Sequence, residues 1–444
     1  MKRLVPTAIA LVLALAPLLG AAQPASTEGP DLPSPLDLRS AIGYALNHNY
    51  MILQSRETIR QQDGVVVQVR AQEIPNVSGQ GQYQRNEPAI SQSYPQANSL
   101  WSVELKATQN LFAGGGIASS IKNAKLARDA AAYDLQTTID AALLDVRTKF
   151  YNVILARDSI GVQEENIKLI QHQLDDTKNQ FESGTVSNFE VLRAKVALAN
   201  AQPALISARN NYRVAIEQLR QSIGAPGLSH FPDVVGGLDV KTESFDPDAA
   251  IESAHEHRPE IARLGKLQSA SEESVTTARA AYYPSVQAFG GYEWDGLSYV
   301  NAVPGIPSSA NGWLFGLQST WAIFDGRATQ GRVQQAKSQL EQARLTKASE
   351  ELAIDVEVRQ DLSSLQEAGE LVASSQQTIA QAEEALRLAN AKFHAGSATQ
   401  LDVLTSQVAL TQSRTDQLTA NYNYLVAVAN VRKAIGMSDA LVVP

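Results

Sequence analysis

The side chains best suited to move a proton or hold a transition metal near neutral pH are six histidines: His48, His172, His230, His255, His257 and His394. Their spacing builds neither kind of site. His255 and His257 stand two apart near a helix start and so point to different sides; all six are expected at the solvent surface. No Ser-His-Asp or zinc spacing is present, and Gly114-Gly115-Gly116 lacks the lysine-threonine pair of a phosphate loop. That triplet reads as a strand-to-helix corner. Cysteine is absent, which removes disulfides, thiolate metal sites and a lipid-modified N-terminal cysteine. The sequence therefore predicts no enzyme, no cofactor and no metal centre, and the question becomes what its elements build.

The N-terminus reads as a secretory signal, residues 1–22. Lys2 and Arg3 precede an apolar run from Leu4 to Leu19, broken by Pro6 and Pro17, and Gly20-Ala21-Ala22 supplies the small residues before a cut. Loss of Lys2 and Arg3 takes the net charge from −9 to −11. A chain this acidic is a poor nucleic-acid binder. No later run approaches the length of a membrane-spanning helix, so any membrane insertion must use strands.

The second half of the chain repeats the first. Leu111-Phe112-Ala113-Gly114 returns as Ile323-Phe324-Asp325-Gly326, Phe181-Glu182-Ser183-Gly184 as Phe393-His394-Ala395-Gly396, and Trp101 as Trp313, each 212 residues on. Spacing this rigid suggests that length itself is functional, as in a stack or tube. After a proline-rich linker at 23–36, the first repeat spans 37–224 and the second 246–436. An inter-repeat segment at 225–245 joins them, and 437–444 form a tail. Each repeat reads as helix, strand, loop, strand, very long helix, tight turn, helix.

The strands are expected at about 75–85, 100–112, 284–294 and 312–324. In each, apolar and polar residues alternate with period two. Val77, Gly79, Gly81 and Tyr83 share one face; Trp101, Val103, Leu105 and Ala107 share another. All four tryptophans are expected inside these strands. Strands of about ten residues with an apolar face and aromatics near the ends suit an outer-membrane barrel in contact with lipid. Tyr83, Trp101, Tyr292, Trp294, Trp313 and Trp321 are the expected membrane-interface aromatics. A soluble hairpin packed on the helices would alternate in the same way.

The opening helices are expected from Leu38 to Glu73 and from Pro247 to Tyr283. The long helices should cover Ile117 to Glu182 and Ala328 to Ala395. At 1.5 Å per residue each would be a rod of about 100 Å. Ile160, Ile167, Leu174 and Phe181 recur every seven residues, as do Val372, Ile379, Leu386 and Phe393, a coiled-coil period. Turns are expected at about 182–187 and 394–399. Pro203 should kink or break the first returning helix.

Four strands cannot span a membrane alone, because an open edge leaves backbone groups unsatisfied in lipid. Several chains must combine if these strands are transmembrane. The fold class is thus mainly α with a membrane β-barrel, made from a duplicated repeat with four strands and long coiled-coil helices per chain.

Several motifs together resemble the TolC family of outer-membrane efflux channels. They are Leu36-Asp37-Leu38 with Ala41, Ala45-Leu46, Asn47 and Asn49; Arg258-Pro259-Glu260-Ile261; Tyr283-Pro284-Ser285-Val286; the two strand-to-helix corners; and the turn regions 181–194 and 393–406. The resemblance covers residues 37–436. It implies a homotrimer with a twelve-stranded barrel on a twelve-helix periplasmic tunnel. It also implies a periplasmic adaptor protein and an inner-membrane pump of the RND or ABC type as partners. In the family an acidic ring forms the constriction at the turns. Asp402 falls on that motif, Glu190 is its partner in the first repeat, and Thr405 holds the family's second aspartate position. Adaptor docking is expected at Gly184, Thr185 and Val186 and at Gly396, Ser397 and Ala398. The competing expectation is a structural coiled-coil or adaptor protein of the envelope.

Overall fold

The computed structural model describes residues 32–85, 87, 97–225, 231–299 and 307–437. The signal segment at 1–22, the linker up to 31, parts of both inter-strand loops and residues 438–444 lie outside them. The described residues form α1 (Leu38–His48), α2 (Tyr50–Arg70), β1 (Asn76–Arg85), β2 (Ala97–Ala113), α3 (Gly116–Glu182) and α4 (Asn188–Ile223). The second repeat gives α5 (Pro247–His257), α6 (Pro259–Ala280), β3 (Ser285–Tyr299), β4 (Ser309–Thr320), α7 (Ala328–His394) and α8 (Gln400–Ala434).

The duplication is reproduced element by element. Both α3 and α7 contain 67 residues, or about 100 Å of helix each. Each starts from a left-handed cap, Gly115 at φ 83° and Arg327 at φ 71°. The image of α1 is α5, which starts at Pro247 where α1 starts at Leu38, an offset of 209. The 212 spacing therefore holds only after the inter-strand loops, which absorb the three-residue difference. Loops are where insertions cost least.

Three expectations about the helices and the linker need correction. Neither opening helix is continuous. Asn49 and Arg258 both leave the helical region, with ψ of 124° each, and split the opening segment into two helices. Arg258 does so because it precedes Pro259, whose ring disfavours a helical predecessor. Asn49 does so because its side chain caps the next helix, accepting from the N–H groups of Met51 (2.8 Å) and Ile52 (3.3 Å). Pro203, in contrast, causes no break: α4 runs through it from Asn188 to Ile223. The linker also ends earlier than expected. Leu36 is fully buried and pairs in parallel with Val234, so the N-terminal and inter-repeat segments close on each other.

The four strands form one antiparallel sheet in the order β1-β2-β3-β4. The register aligns Tyr83 with Trp101, Val103 with Trp294, Leu105 with Tyr292, and Tyr292 with Trp313. Directly opposed residues share a face, so these apolar side chains form one continuous surface. It is not packed on the helices: Val77, Tyr83, Val103, Leu105, Trp313, Phe315 and Leu317 are all exposed. The soluble-hairpin reading, with aromatics as core, therefore fails. The other face carries Gln80, Gln82, Ser102, Glu104, Lys106, Glu293 and Asp295.

Strand bounds also differ from expectation. β3 continues past Trp294 to Tyr299, because Asp295-Gly296 pairs in the sheet instead of turning. The Trp101 indole lies over Gly296, where an added Cβ would stand 2.0 Å from the ring nitrogen. β4 stops at Thr320, so Trp321 lies just outside the strands. Its indole N–H donates to the Tyr282 carbonyl at 3.1 Å.

Among the described residues no helix is long and apolar enough to cross a membrane. The helices pack through small residues and short apolar layers. At the turn end, Leu174, Val191 and Ala194 form one cluster. Leu386, Val403 and Leu410, with Ala382 and Ala389, form its counterpart.

Candidate functional site at the helical turns

The two turns are built alike. At the end of α3, Ser183 keeps a helical conformation and Gly184 turns left-handed at φ 77°. The Gly184 N–H then donates to Phe181 O at 2.9 Å, and the Thr185 N–H to Gln180 O at 2.9 Å. At the end of α7, Gly396 has φ 73°, with Gly396 N–H on Phe393 O (3.0 Å) and Ser397 N–H on Lys392 O (2.9 Å). Nothing lies within 4 Å of a Cβ added at either glycine. The left-handed backbone, and not lack of space, requires glycine there. Gly184, Thr185, Gly396 and Ser397 are exposed, and Val186 and Ala398 are half-buried.

The carboxylates beyond the turns diverge. In the second repeat, Thr399 and Asp402 form a reciprocal cap. The Asp402 carboxylate accepts from the Thr399 N–H (2.8 Å) and hydroxyl (2.7 Å), and the Asp402 N–H donates to the Thr399 hydroxyl oxygen (3.4 Å). The bonds from the Thr399 backbone and side chain hold Asp402 below the ordinary 3.8, so it carries a full charge at neutral pH. Its side chain is exposed, as is Thr405.

In the first repeat, Ser187 makes no side-chain cap bond. Glu190 is turned away from it, paired with Arg193. With the Gln400 amide assigned so that its nitrogen faces Glu190, that nitrogen meets the Glu190 main-chain oxygen at 3.2 Å and carboxylate at 2.5 Å. The Gln400 amide oxygen meets the Thr177 hydroxyl at 3.1 Å. Gln400 is 1% exposed and Thr177 fully buried. The two helical hairpins of one chain are thus tied together just behind their turns. Sequence reading missed Gln400 and Thr177. A glutamine at the start of a helix gives no signal that it enters a neighbouring hairpin.

A second cluster lies where α5 meets α6. Arg258, 5% exposed, donates to Glu260 (3.0 and 3.2 Å) and to Glu357 (2.5 Å), and Lys433 donates to Glu357 at 2.9 Å. Burial works against the Arg258 charge, but the bonds to both glutamates outweigh it and raise its pKa. Burial likewise opposes the charges of Glu260 and Glu357, yet the Arg258 bonds hold both below 4.5. Asp140 and Asp361 nearby are pushed up by burial. The cluster joins α6, α7 and α8 and has the character of a structural joint.

At the other end of the rods, further aromatics surround the helix-to-strand corners. Phe112, Tyr282, Tyr283, Trp321 and Phe324 are all exposed. With Tyr83, Trp101, Trp294 and Trp313 they leave aromatic groups at both ends of the apolar sheet face. Of these corner aromatics the sequence reading singled out only Trp321 as an interface residue.

A duplicated staff of long helical hairpins, capped by a lipid-facing sheet with open edges, defines the class of outer-membrane channel protomers. The model of the family described as outer membrane efflux protein matches residues 41–225 and 250–437, and the chain belongs to that family. It is 24% identical over 312 residues to the outer membrane protein TolC of Escherichia coli, covering 68% of this chain and 62% of that protein. The outer membrane efflux protein BepC of Brucella suis is 23% identical over 407 residues, 89% of this chain and 85% of that protein. The fold of the Campylobacter jejuni CmeC outer membrane channel superposes with a TM-score of 0.77 at 16% identity, over 91% of this chain and 87% of CmeC.

Proposed function

We propose that this protein is the outer-membrane exit duct of a tripartite efflux or type I secretion system. It conducts substrates passively from an inner-membrane pump, through a periplasmic adaptor, to the outside. The observation that carries this reading is the sheet: one face presents a broad, largely exposed apolar surface, its two outer strands have no further strand beside them among the described residues, and the sheet crowns two 67-residue helices. Lipid requires the edges to close. Three copies close them as twelve strands, β4 of one copy beside β1 of the next, with the helices below forming the tunnel.

The turns then lie together at the periplasmic end. Asp402 supplies one exposed carboxylate per chain to a ring there, with Thr405 one turn further along α8. Such a ring attracts cations and repels anions. Glu190 contributes less to it, because its carboxylate is already engaged by Arg193 and Gln400. The adaptor docks at Gly184, Thr185 and Val186 and at Gly396, Ser397 and Ala398. The next turn adds exposed apolar side chains at matching positions in both repeats: Phe189 with Leu401, and Val196 with Val408. Six nearly equivalent grooves for a helical hairpin result from three chains.

The test is to delete the gene and supply variants in its place. Loss of export on deletion, restored by the native chain, supports the duct. Bulky residues in place of Val186 and Ala398 should abolish export and leave the oligomer in the outer membrane. Fractionation with the periplasm instead of the outer membrane would overturn the reading.

A further inference from the structure

The two strand-to-helix corners share their backbone course but not their charge. In the first repeat Arg70, at the end of α2, lies 4.0 Å from Glu73, and Gly115 supplies the left-handed residue before α3 at φ 83°. The images of Arg70, Glu73 and Gly115 in the second repeat are Arg279, Tyr282 and Arg327. A tyrosine stands where the acid was, so the exposed Arg279 side chain has no partner among the described residues. An arginine stands where the glycine was. Arg327 holds φ 71° and is the one left-handed residue other than glycine among the described residues. Its Cβ crowds the backbone in that conformation, which glycine adopts freely. The exposed Arg327 guanidinium likewise has no partner among the described residues. The nearest acid in sequence, Asp325, accepts from the N–H (2.7 Å) and hydroxyl (2.6 Å) of Thr329 and lies 3.6 Å from Arg332.

Both arginines border one aromatic corner. Trp321 donates its indole N–H to Tyr282 O at 3.1 Å, which fastens the segment before α7 to the segment after α6. Tyr282, Tyr283, Trp321, Ile323 and Phe324 are exposed around this contact. Phe324 repeats Phe112, which stands opposite Val286 on the apolar face of the sheet. The patch therefore continues the lipid-facing surface where the strands end and the helices begin. At the first corner Ala280 of α6 lies 2.9 Å from a Cβ added to Gly116, yet a Cβ added to Gly115 meets nothing within 4 Å. By the repeat, the position of Arg327 stays open with a helix alongside.

This arrangement complements a phospholipid. Aromatic rings settle at headgroup depth, a long cationic side chain reaches from apolar surface to the polar layer, and a guanidinium matches a phosphate with two parallel hydrogen bonds. Asp325 is already engaged, so the cation of a zwitterionic headgroup gains no carboxylate there. We propose that Arg327 and Arg279 bind the phosphate of an anionic phospholipid in the periplasmic leaflet, with Trp321 and Phe324 against the first carbons of its chains. The contact accounts for an arginine at a backbone position suited to glycine. The proposal rests on the reading of the sheet as membrane-inserted. It goes beyond that reading in giving the second-repeat corner, and not the first, a lipid preference.

The test offers phosphatidylglycerol or phosphatidylcholine to the full chain in neutral detergent and counts bound lipid by native mass spectrometry. Phosphatidylglycerol should be retained roughly fivefold more than phosphatidylcholine, and Arg327→Gly should remove most of that preference while leaving phosphatidylcholine retention unchanged. Arg327→Lys, which keeps the cation, should retain more phosphatidylglycerol than Arg327→Gly. Glycine suits the left-handed backbone, so without added lipid Arg327→Gly should melt at or above the native temperature. That separates loss of the contact from loss of the fold. Equal retention of the two lipids by the native protein, or equal phosphatidylglycerol retention by the native protein and Arg327→Gly, overturns the proposal. A lower melting temperature for Arg327→Gly makes Arg327 a structural residue and also overturns it. Stabilisation by inorganic phosphate as large as that by phosphatidylglycerol makes the corner a bare anion site and overturns the lipid. If the native protein does not insert into bilayers, the membrane reading fails first and this proposal with it.

Discussion

Asn49 and Arg258 break the opening helix of each repeat at the same joint by different chemistry. Asn49 caps the following helix and donates to Ser222 O at 2.6 Å. Arg258 precedes Pro259 and binds two glutamates. Both joints sit against the end of a returning helix, where Gly224 and Gly436 turn left-handed at φ 74° and 69°. A Cβ at Gly224 would lie 2.1 Å from the His48 carbonyl oxygen. The opening and returning helices therefore meet end to end beside the long rod. Removing Arg258 leaves Glu260 and Glu357 partly buried without their main cation, so Arg258→Ala should cost about 3–5 kcal/mol. Asn49→Ala, which leaves backbone groups unpaired, should cost about 1–3 kcal/mol. Thermal unfolding followed by circular dichroism measures both. Equal, negligible losses would show that the joints are not structural.

The same joint should give a pH signature of two signs. Glu260 and Glu357 are held below 4.5. Their stabilisation is complete above that value and is lost as pH falls through their lowered pKa values. Asp140 and Asp361 are raised above 3.8, so their charged forms cost stability at neutral pH and protonation relieves that cost. Asp361→Asn should therefore raise the melting temperature at pH 7.5, with the gain shrinking as pH falls toward 3.8. Glu357→Gln should lower it by an amount that stays constant down to about pH 4.5 and shrinks only below that value. Melting curves across pH check the pair, and a gain from Asp361→Asn that is independent of pH would contradict it.

The helix starts after the two turns should respond unequally to the same substitution. Thr399→Ala removes a reciprocal cap and should cost about 1 kcal/mol. Ser187→Ala removes no cap bond and should stay within about 0.5 kcal/mol. Hydrogen exchange at the first turn of α8 and of α4 reads the difference directly. Asp402→Asn should also loosen α8, because the aspartate is held below 3.8 by the same bonds. For the native protein, that contribution fades as pH falls through the lowered Asp402 value.

Lipid contact can be tested with the four native tryptophans. Trp313 and Trp321 stand eight residues apart along the chain at the β4 end of the sheet, roughly 27 Å if extended, near the height of a barrel's apolar band. Variants that keep only one of them should both be quenched best by bromine near the headgroup and poorly by bromine near the acyl-chain end. Strong quenching by the deep label would remove the aromatics from the interfaces.

Much of this architecture was legible in the sequence because its signals are periodic. The 212 repeat, the two 67-residue rods, the left-handed glycines of the turns and the strand alternation all follow local rules that side-chain spacing displays. The joints were less visible. The second opening helix was expected to run unbroken from Pro247 to Tyr283 although Pro259 disfavours a helical Arg258, and an asparagine inside a helical pattern gives no warning that it caps the next helix and reaches Ser222. The Gln400–Glu190 tie was invisible for the same reason, being a contact between hairpins more than 200 residues apart in sequence. Asp402 was singled out from the resemblance; its reciprocal cap with Thr399 emerged from the geometry.

The account depends above all on closure of the four-stranded sheet by further copies of the chain. Native mass spectrometry of the protein extracted from outer membranes tests this most directly. A complex with the mass of three mature chains is predicted. A monomer, or a stable complex of two or four chains, would contradict the twelve-stranded barrel and the tunnel built beneath it.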